Sequence, residues 1–108
     1  MDFDRDNVEA LTYLGLLRVR EKRTEEGISL YRRALELDPE YSLAAEGMAT
    51  GLTDEGTRLK LLGQIDDAML KYKEAVRVCP EYAPSHYNEG IVLAEQGLVQ
   101  QALESYAR

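Results

Sequence analysis

GTRLKLLGQIDDAMLKYKEAVRVCPEYAPSHYNEG (Gly56–Gly90) contains one full period of a repeat. Its opening glycine recurs as Gly90, and 34 residues also separate Gly63 from Gly97, Ala68 from Ala102 and Tyr72 from Tyr106. Upstream the same residue types recur 41 apart: Gly15 and Gly56, Gly27 and Ala68, Tyr31 and Tyr72, Ala34 and Ala75, Pro39 and Pro80. Inside the quoted stretch, Gln64 or Asp66 opens a helix over 65–78 with Ile65, Met69, Tyr72 and Val76 on one face. Pro80 stops it, because proline lacks the amide proton and clashes with the preceding turn. A small residue where two antiparallel helices cross, a large ring packing over the next helix and a terminating proline make one helix-pair unit.

A 34-residue period built from these residue types is the signature of a tetratricopeptide repeat. The spacing predicts a single repeat domain over 1–108: repeat one at about 8–41, repeat two at about 42–82 and repeat three at about 83–108. The fold class is all-α, a right-handed superhelical solenoid of antiparallel helix pairs. The third repeat stops within its second helix, which predicts a fragment of a longer array. Two departures stand out. Gly27 replaces the usual alanine, at about 1 kcal/mol of helix propensity. Glu55 and Glu89 occupy places where a large apolar residue is expected before the signature glycine.

The larger offset contains seven extra residues. They fall between Pro39 and Gly56, which are 17 apart where Pro80 and Gly90 are 10 apart. Seven residues are two helical turns with a phase drift of only about 20°. The insertion therefore predicts a first helix of repeat two lengthened at its N-terminus, over Ser42–Leu61, with Leu43, Ala44, Met48, Leu52 and Leu59 as its apolar stripe. A loop is the alternative, since Gly47 and Gly51 weaken a helix. Elsewhere Asp6 with Glu9 predicts a capped helix over 7–20, and Thr24 an N-cap for a helix over 25–37 burying Ile28, Tyr31 and Leu35. Pro84 suits the first turn of a helix over 84–96. The last helix starts near Val99.

Composition narrows the function. The chain has 108 residues, 20 acidic against 13 basic, and a net charge of −7. That balance repels phosphate backbones, so nucleic acid is not an expected partner. Arg18, Arg20, Lys22 and Arg23 form one basic cluster, which reads as complementing a helix end rather than binding phosphate. No apolar run is long enough for a membrane span. The single cysteine, Cys79, excludes a disulfide framework and suits a reducing compartment. One cysteine and one histidine do not make a zinc site, and no cofactor is expected. His86 occupies a bulky first-helix position, so packing is its expected role. Tyr31, Tyr72 and Tyr106 share one repeat position and are expected in the core. No constellation of residues supports catalysis, so this segment is not expected to be an enzyme.

The local words go further than the period. LTDEGTRLKLLG (Leu52–Gly63), KYKEAVRVCPEYAPSHYNEGIV (Lys71–Val92) and the seven-residue insertion resemble the repeat region of SPINDLY-like proteins. These are relatives of the O-GlcNAc transferases, in which a repeat array precedes a nucleotide-sugar glycosyltransferase domain. The resemblance implies a cytoplasmic or nuclear protein and a full-length protein O-glycosyltransferase. It carries no catalytic residue onto this segment. It also implies an asparagine ladder two residues before each signature glycine, holding an extended peptide backbone. Those places hold Tyr13, Asp54 and Asn88, so only Asn88 matches. A carboxylate clamp of the kind used by chaperone-binding repeats finds Thr12, Leu16, Asp54, Pro84 and Asn88, with no cation among them.

In a solenoid of this kind the first helix of each pair lines the concave face. The expected groove residues are Glu9, Thr12, Tyr13, Leu16 and Arg20, then Thr50, Thr53, Asp54, Thr57 and Lys60, then Tyr87, Asn88, Ile91 and Glu95. The function these support is a protein-interaction module gripping partner or substrate polypeptides in that groove. The alternative is self-association, or a generic adaptor, through an uncovered end at Leu103 and Tyr106.

Overall fold

The computed structural model describes residues 5–95 and 104–106. Five helices follow one another: α1 (Arg5–Arg20), α2 (Thr24–Leu37), α3 (Ser42–Leu61), α4 (Ile65–Val78) and α5 (Ala83–Glu95). Residues 104–106 are helical too, and no strand occurs among the described residues. The start of the last helix near Val99 lies outside them. The chain forms two compact units, Met1–Gly51 and Leu52–Arg108. Helix α3 is unbroken over 20 residues, so the insertion is helix and not loop, and it belongs in part to each unit.

In the first unit Val8 and Leu11 of α1, Ile28, Tyr31 and Ala34 of α2, and Ala44, Met48 and Ala49 of α3 are buried. Leu35 is only half-buried, and Leu43 is exposed rather than on the buried stripe. The crossing of α1 and α2 explains Gly27. A β-carbon there would lie 2.8 Å from the Gly15 carbonyl oxygen and 2.6 Å from Cγ2 of Val19. Backbone approach therefore requires what helix propensity disfavours.

In the second unit Ala68 and Tyr72 of α4 pack with Val92 of α5, flanked by Leu59, Ile65 and Met69. The signature glycine and tyrosine of each repeat meet. A β-carbon at Gly15, Gly56 or Gly90 would stand 2.9, 2.6 or 2.5 Å from Cε1 of Tyr31, Tyr72 or Tyr106 respectively. The two acids at apolar repeat positions are buried and partnered. Glu55 takes two hydrogen bonds of 3.2 Å from Arg58, and Glu89 accepts one of 3.3 Å from the Ser105 hydroxyl.

The starts of α1 and α2 differ from expectation, while α4 spans 65–78 as expected. α1 already includes Asp6, which therefore lies inside the helix rather than at its cap. α2 begins at Thr24 with Arg23 as N-cap, and α4 begins after Gln64; neither cap makes a side-chain hydrogen bond. The C-terminal turns are regular. Arg23 and Gln64 donate their amides to the carbonyls of Arg18 and Leu59, at 2.8 and 2.9 Å. Lys22 and Gly63 donate theirs to Val19 and Lys60, both at 3.0 Å. This double bond is the Schellman ending, and it places Lys22 at φ 67 and Gly63 at φ 83. Around the first of these turns Arg18 pairs with Glu21 at 3.1 Å, and Arg23 with Glu21 at 3.5 Å and with Glu26. Arg18 and Arg23 of the basic cluster are thus paired with neighbouring acids. The Arg23 guanidinium holds the Glu26 carboxyl below the usual carboxylate range.

Candidate binding groove

The first helices present the expected groove residues in two separate settings. In the first unit a cavity of about 480 Å³ opens between α1 and α3. Glu9, Thr12, Tyr13 and Leu16 line it from α1, one helical turn after another. Leu43, Glu46, Gly47 and Thr50 line it from α3, with Tyr41 just before that helix and Tyr31 of α2 as its floor. Tyr13 and Leu43 are more than half exposed and Leu16 over a third, so apolar surface faces solvent here. Glu9 and Glu46 are exposed carboxylates, and among the described residues no cationic side chain lines the cavity.

The short hydroxyls of the cavity are bonded within their own helices. Thr12 Oγ1 donates to the Val8 carbonyl and Thr50 Oγ1 to the Glu46 carbonyl, each at 2.9 Å. Each hydroxyl is thus bonded to its own helix one turn back. Tyr31 is nearly fully buried, and that burial pushes its phenol above the usual tyrosine range, an effect the charge of Arg20 partly opposes. Arg20 itself does not line the cavity.

In the second unit Thr53, Asp54, Thr57 and Lys60 stand on α3, and Tyr87, Asn88 and Ile91 on α5. Thr53 is 5% exposed, so it packs inward instead of lining a surface. The Thr57 hydroxyl is 3.0 Å from the Tyr72 hydroxyl. Asp54 is exposed, and Lys60, Asn88 and Ile91 are half-buried. Tyr87 stacks against Tyr106, with ring centroids 5.8 Å apart and planes tilted by 42°.

The repeat tyrosines are not equivalent. Tyr31 and Tyr72 are 3% and 1% exposed, whereas Tyr106 is 47% exposed and does not join the core as expected. A smaller cavity of about 210 Å³ lies there, lined by Ala83, His86, Tyr87, Ser105 and Tyr106. His86 is buried, with Nε2 2.7 Å from the Pro80 carbonyl oxygen, which only accepts; Nε2 therefore carries a proton. Its Nδ1 is buried with no hydrogen-bond partner among the described residues. Leu103, the other expected self-association residue, lies outside the described residues.

Among the described residues no group of three histidine, cysteine, aspartate or glutamate side chains could hold a metal ion. No helix among them is long and apolar enough to cross a membrane.

Tyr41, Leu43, Glu46 and Gly47 were not legible as groove residues from the 34-residue period. They belong to the insertion or border it, so the repeat has no equivalent positions for them. The insertion itself was the available signal, since any helix lengthened by two turns must present new side chains to its neighbours.

Comparison with known proteins agrees with this architecture. The family described as "TPR repeat" matches residues 56–97, and that described as "Tetratricopeptide repeat" matches residues 2–42. Two plant proteins, each named "Probable UDP-N-acetylglucosamine--peptide N-acetylglucosaminyltransferase SPINDLY", are similar over 105 residues, or 97% of this chain. The one from Hordeum vulgare is 40% identical and that from Eustoma exaltatum subsp. russellianum 45%. The chain spans 11% of the length of each. In fold it is similar to the crystal structure of MamA, at a TM-score of 0.60 and 19% identity, over 96% of this chain and 57% of that one. Helix pairs, repeat glycines and long-range similarity agree: the chain belongs to the tetratricopeptide repeat family, and its repeats are of the SPINDLY-like kind.

Proposed function

We propose that this segment is a protein-interaction module that binds partner polypeptides on the first helices of its repeats, and does no chemistry itself. The observation that carries this is the solvent-facing apolar cavity between α1 and α3, set in an otherwise well-packed first unit. Contiguous exposed apolar surface rimmed by polar groups is the usual mark of an interaction site. Similarity to SPINDLY proteins supports a whole protein in which such repeats hold polypeptide substrates for a glycosyltransferase domain. On that reading the protein works in the cytoplasm or nucleus, on protein partners and not on nucleic acid or membrane. In the second unit Asp54 and Asn88 supply side-chain hydrogen bonds to a bound backbone, joined by Thr57, Lys60, Tyr87 and Ile91.

Asn88→Ala combined with Asp54→Ala tests the assignment. It is expected to weaken a bound peptide by roughly 1–3 kcal/mol, as lost hydrogen bonds to charged and amide groups do, while helicity is unchanged. Binding that survives this change but disappears on altering Tyr106 points elsewhere.

A second reading has its own support. Tyr106 is far more exposed than its repeat counterparts Tyr31 and Tyr72, and it stacks on exposed Tyr87. That pair offers a surface for self-association or for an adaptor's partner, with Leu103 as its expected neighbour. Sedimentation over a range of concentrations tests it: a strict monomer removes self-association.

A further inference from the structure

We infer that the cavity between α1 and α3 is a receptor for one large apolar side chain of a bound polypeptide, and that Glu9 and Glu46 select a chain carrying lysine or arginine next to that anchor. This rests on the groove reading above and specifies the partner's chemistry.

The first argument is the origin of the wall. Leu43, Glu46 and Gly47 fall within the first two turns of α3, the length that the seven extra residues add. A repeat of ordinary length has no counterpart for that wall. The insertion thus does more than lengthen a helix: it closes one side of a cavity in the groove.

The second argument is size. About 480 Å³ falls in the range of sites that enclose an organic group, and exceeds what a single small side chain fills. An aromatic or branched aliphatic residue with part of its backbone suits it.

The third argument is chemistry. The hydroxyls of Thr12 and Thr50 are each bonded to their own helix, so neither is poised to demand a polar ligand. For apolar contact the lining offers the Tyr13 ring and the side chains of Leu16 and Leu43. Apolar contact of this kind gives the anchor, and tyrosine adds contact area at low entropic cost. The charged groups in the lining among the described residues are Glu9 and Glu46, both acidic and exposed. Two like charges at an apolar site favour a cationic flank and disfavour an acidic one.

Three synthetic peptides of equal length test this on the full chain by fluorescence anisotropy. One has a single phenylalanine flanked by lysines, one has phenylalanine flanked by glutamates, and one has alanine flanked by lysines. The first is expected to bind on the order of tenfold more tightly than either of the others. Leu43→Asp, at an exposed position, is expected to bring the first peptide down to the affinity of the alanine peptide. Tyr13→Ala, also exposed, serves the same purpose should Leu43→Asp lose helicity. Glu9→Lys with Glu46→Lys is expected to reverse the preference toward the glutamate-flanked peptide. Equal binding of the phenylalanine and alanine peptides overturns the anchor. Equal binding of the lysine and glutamate peptides overturns the charge selection. If binding responds only to Asp54→Ala with Asn88→Ala, the cavity is not the receptor although the groove reading stands. If none of the peptides binds, both fall.

Discussion

A β-carbon on residue 47 would stand 2.6 Å from Cζ of Tyr31 and 2.7 Å from its Cε1. A β-carbon at Gly15 would be 2.9 Å from the same Cε1. The buried Tyr31 ring thus lies against a glycine of α1 and a glycine of the lengthened α3, and it lines the groove cavity. Neither glycine is there for the helix, which each of them weakens.

Gly47→Ala sets two effects against each other. Helix propensity gains about 1 kcal/mol, while overlap with a ring that is itself buried costs about 1–3 kcal/mol, so the overlap wins. Thermal unfolding is expected at a lower midpoint than the parent. A raised midpoint, of the size propensity alone gives, contradicts the contact.

Lys22 and Gly63 occupy the same place in two Schellman turns, 41 residues apart, and both have positive φ. A side chain in the left-handed region costs about 1–2 kcal/mol, which glycine avoids. Lys22→Gly is therefore expected to stabilise the chain by about 1 kcal/mol, less glycine's greater unfolded-state freedom. Gly63→Ala is expected to destabilise it by a similar amount even though no atom lies within 4 Å of the added carbon. Denaturant midpoints of the two variants should move in opposite directions.

Glu55 is buried and its carboxylate is held by Arg58, which is itself largely exposed. Removing the cation leaves the buried carboxylate short of donors, a loss of about 1–3 kcal/mol for Arg58→Ala. Glu55→Leu restores the apolar type expected at this repeat position and should cost little or stabilise. Equilibrium unfolding of both variants checks the asymmetry; equal losses would show that the ion pair, not the unpaired charge, sets the energetics.

The Tyr31 phenol titrates above the ordinary tyrosine range because burial disfavours its charged form, with Arg20 pulling weakly the other way. The folded chain therefore holds this proton more tightly than the unfolded chain does. The corresponding stability is fully present below about pH 10, the unfolded value, and is lost as the pH rises through the folded one. Tyr31→Phe should flatten the fall in stability above about pH 10. Urea titrations at neutral and alkaline pH test this; an unchanged alkaline slope would assign the loss to other tyrosines.

Much of the fold was legible because the repeat states its own packing. The offset of 34 places a glycine opposite a tyrosine in each copy, and the structure puts those pairs in contact. The helix over Ser42–Leu61 was legible from phase, since seven residues keep the buried face aligned. What escaped were features in which tertiary contact overrides local type. Gly27 reads as a flaw until the Gly15 carbonyl is seen against it, and Lys22 shows no sign of positive φ because lysine does not announce a turn. Thr53 reads as a groove hydroxyl yet is buried. Leu43 reads as core yet is exposed on the cavity wall, because the α3 extension presents it to the groove rather than to α2. Leu16, Tyr13 and Thr12 came from the spacing of α1, and Thr50 from that of α3; Leu43, Glu46 and Gly47 came only from the structure.

The most direct measurement is a nuclear magnetic resonance titration of the full chain with the lysine-flanked phenylalanine peptide, following aromatic and methyl signals. Saturable shifts concentrated on Tyr13, Leu16, Leu43 and Thr50 are expected, with the anchor's ring protons close to the Leu43 methyls. Saturable shifts at Tyr87 and Tyr106 with those four residues unmoved would contradict a groove built by α1 and the lengthened α3.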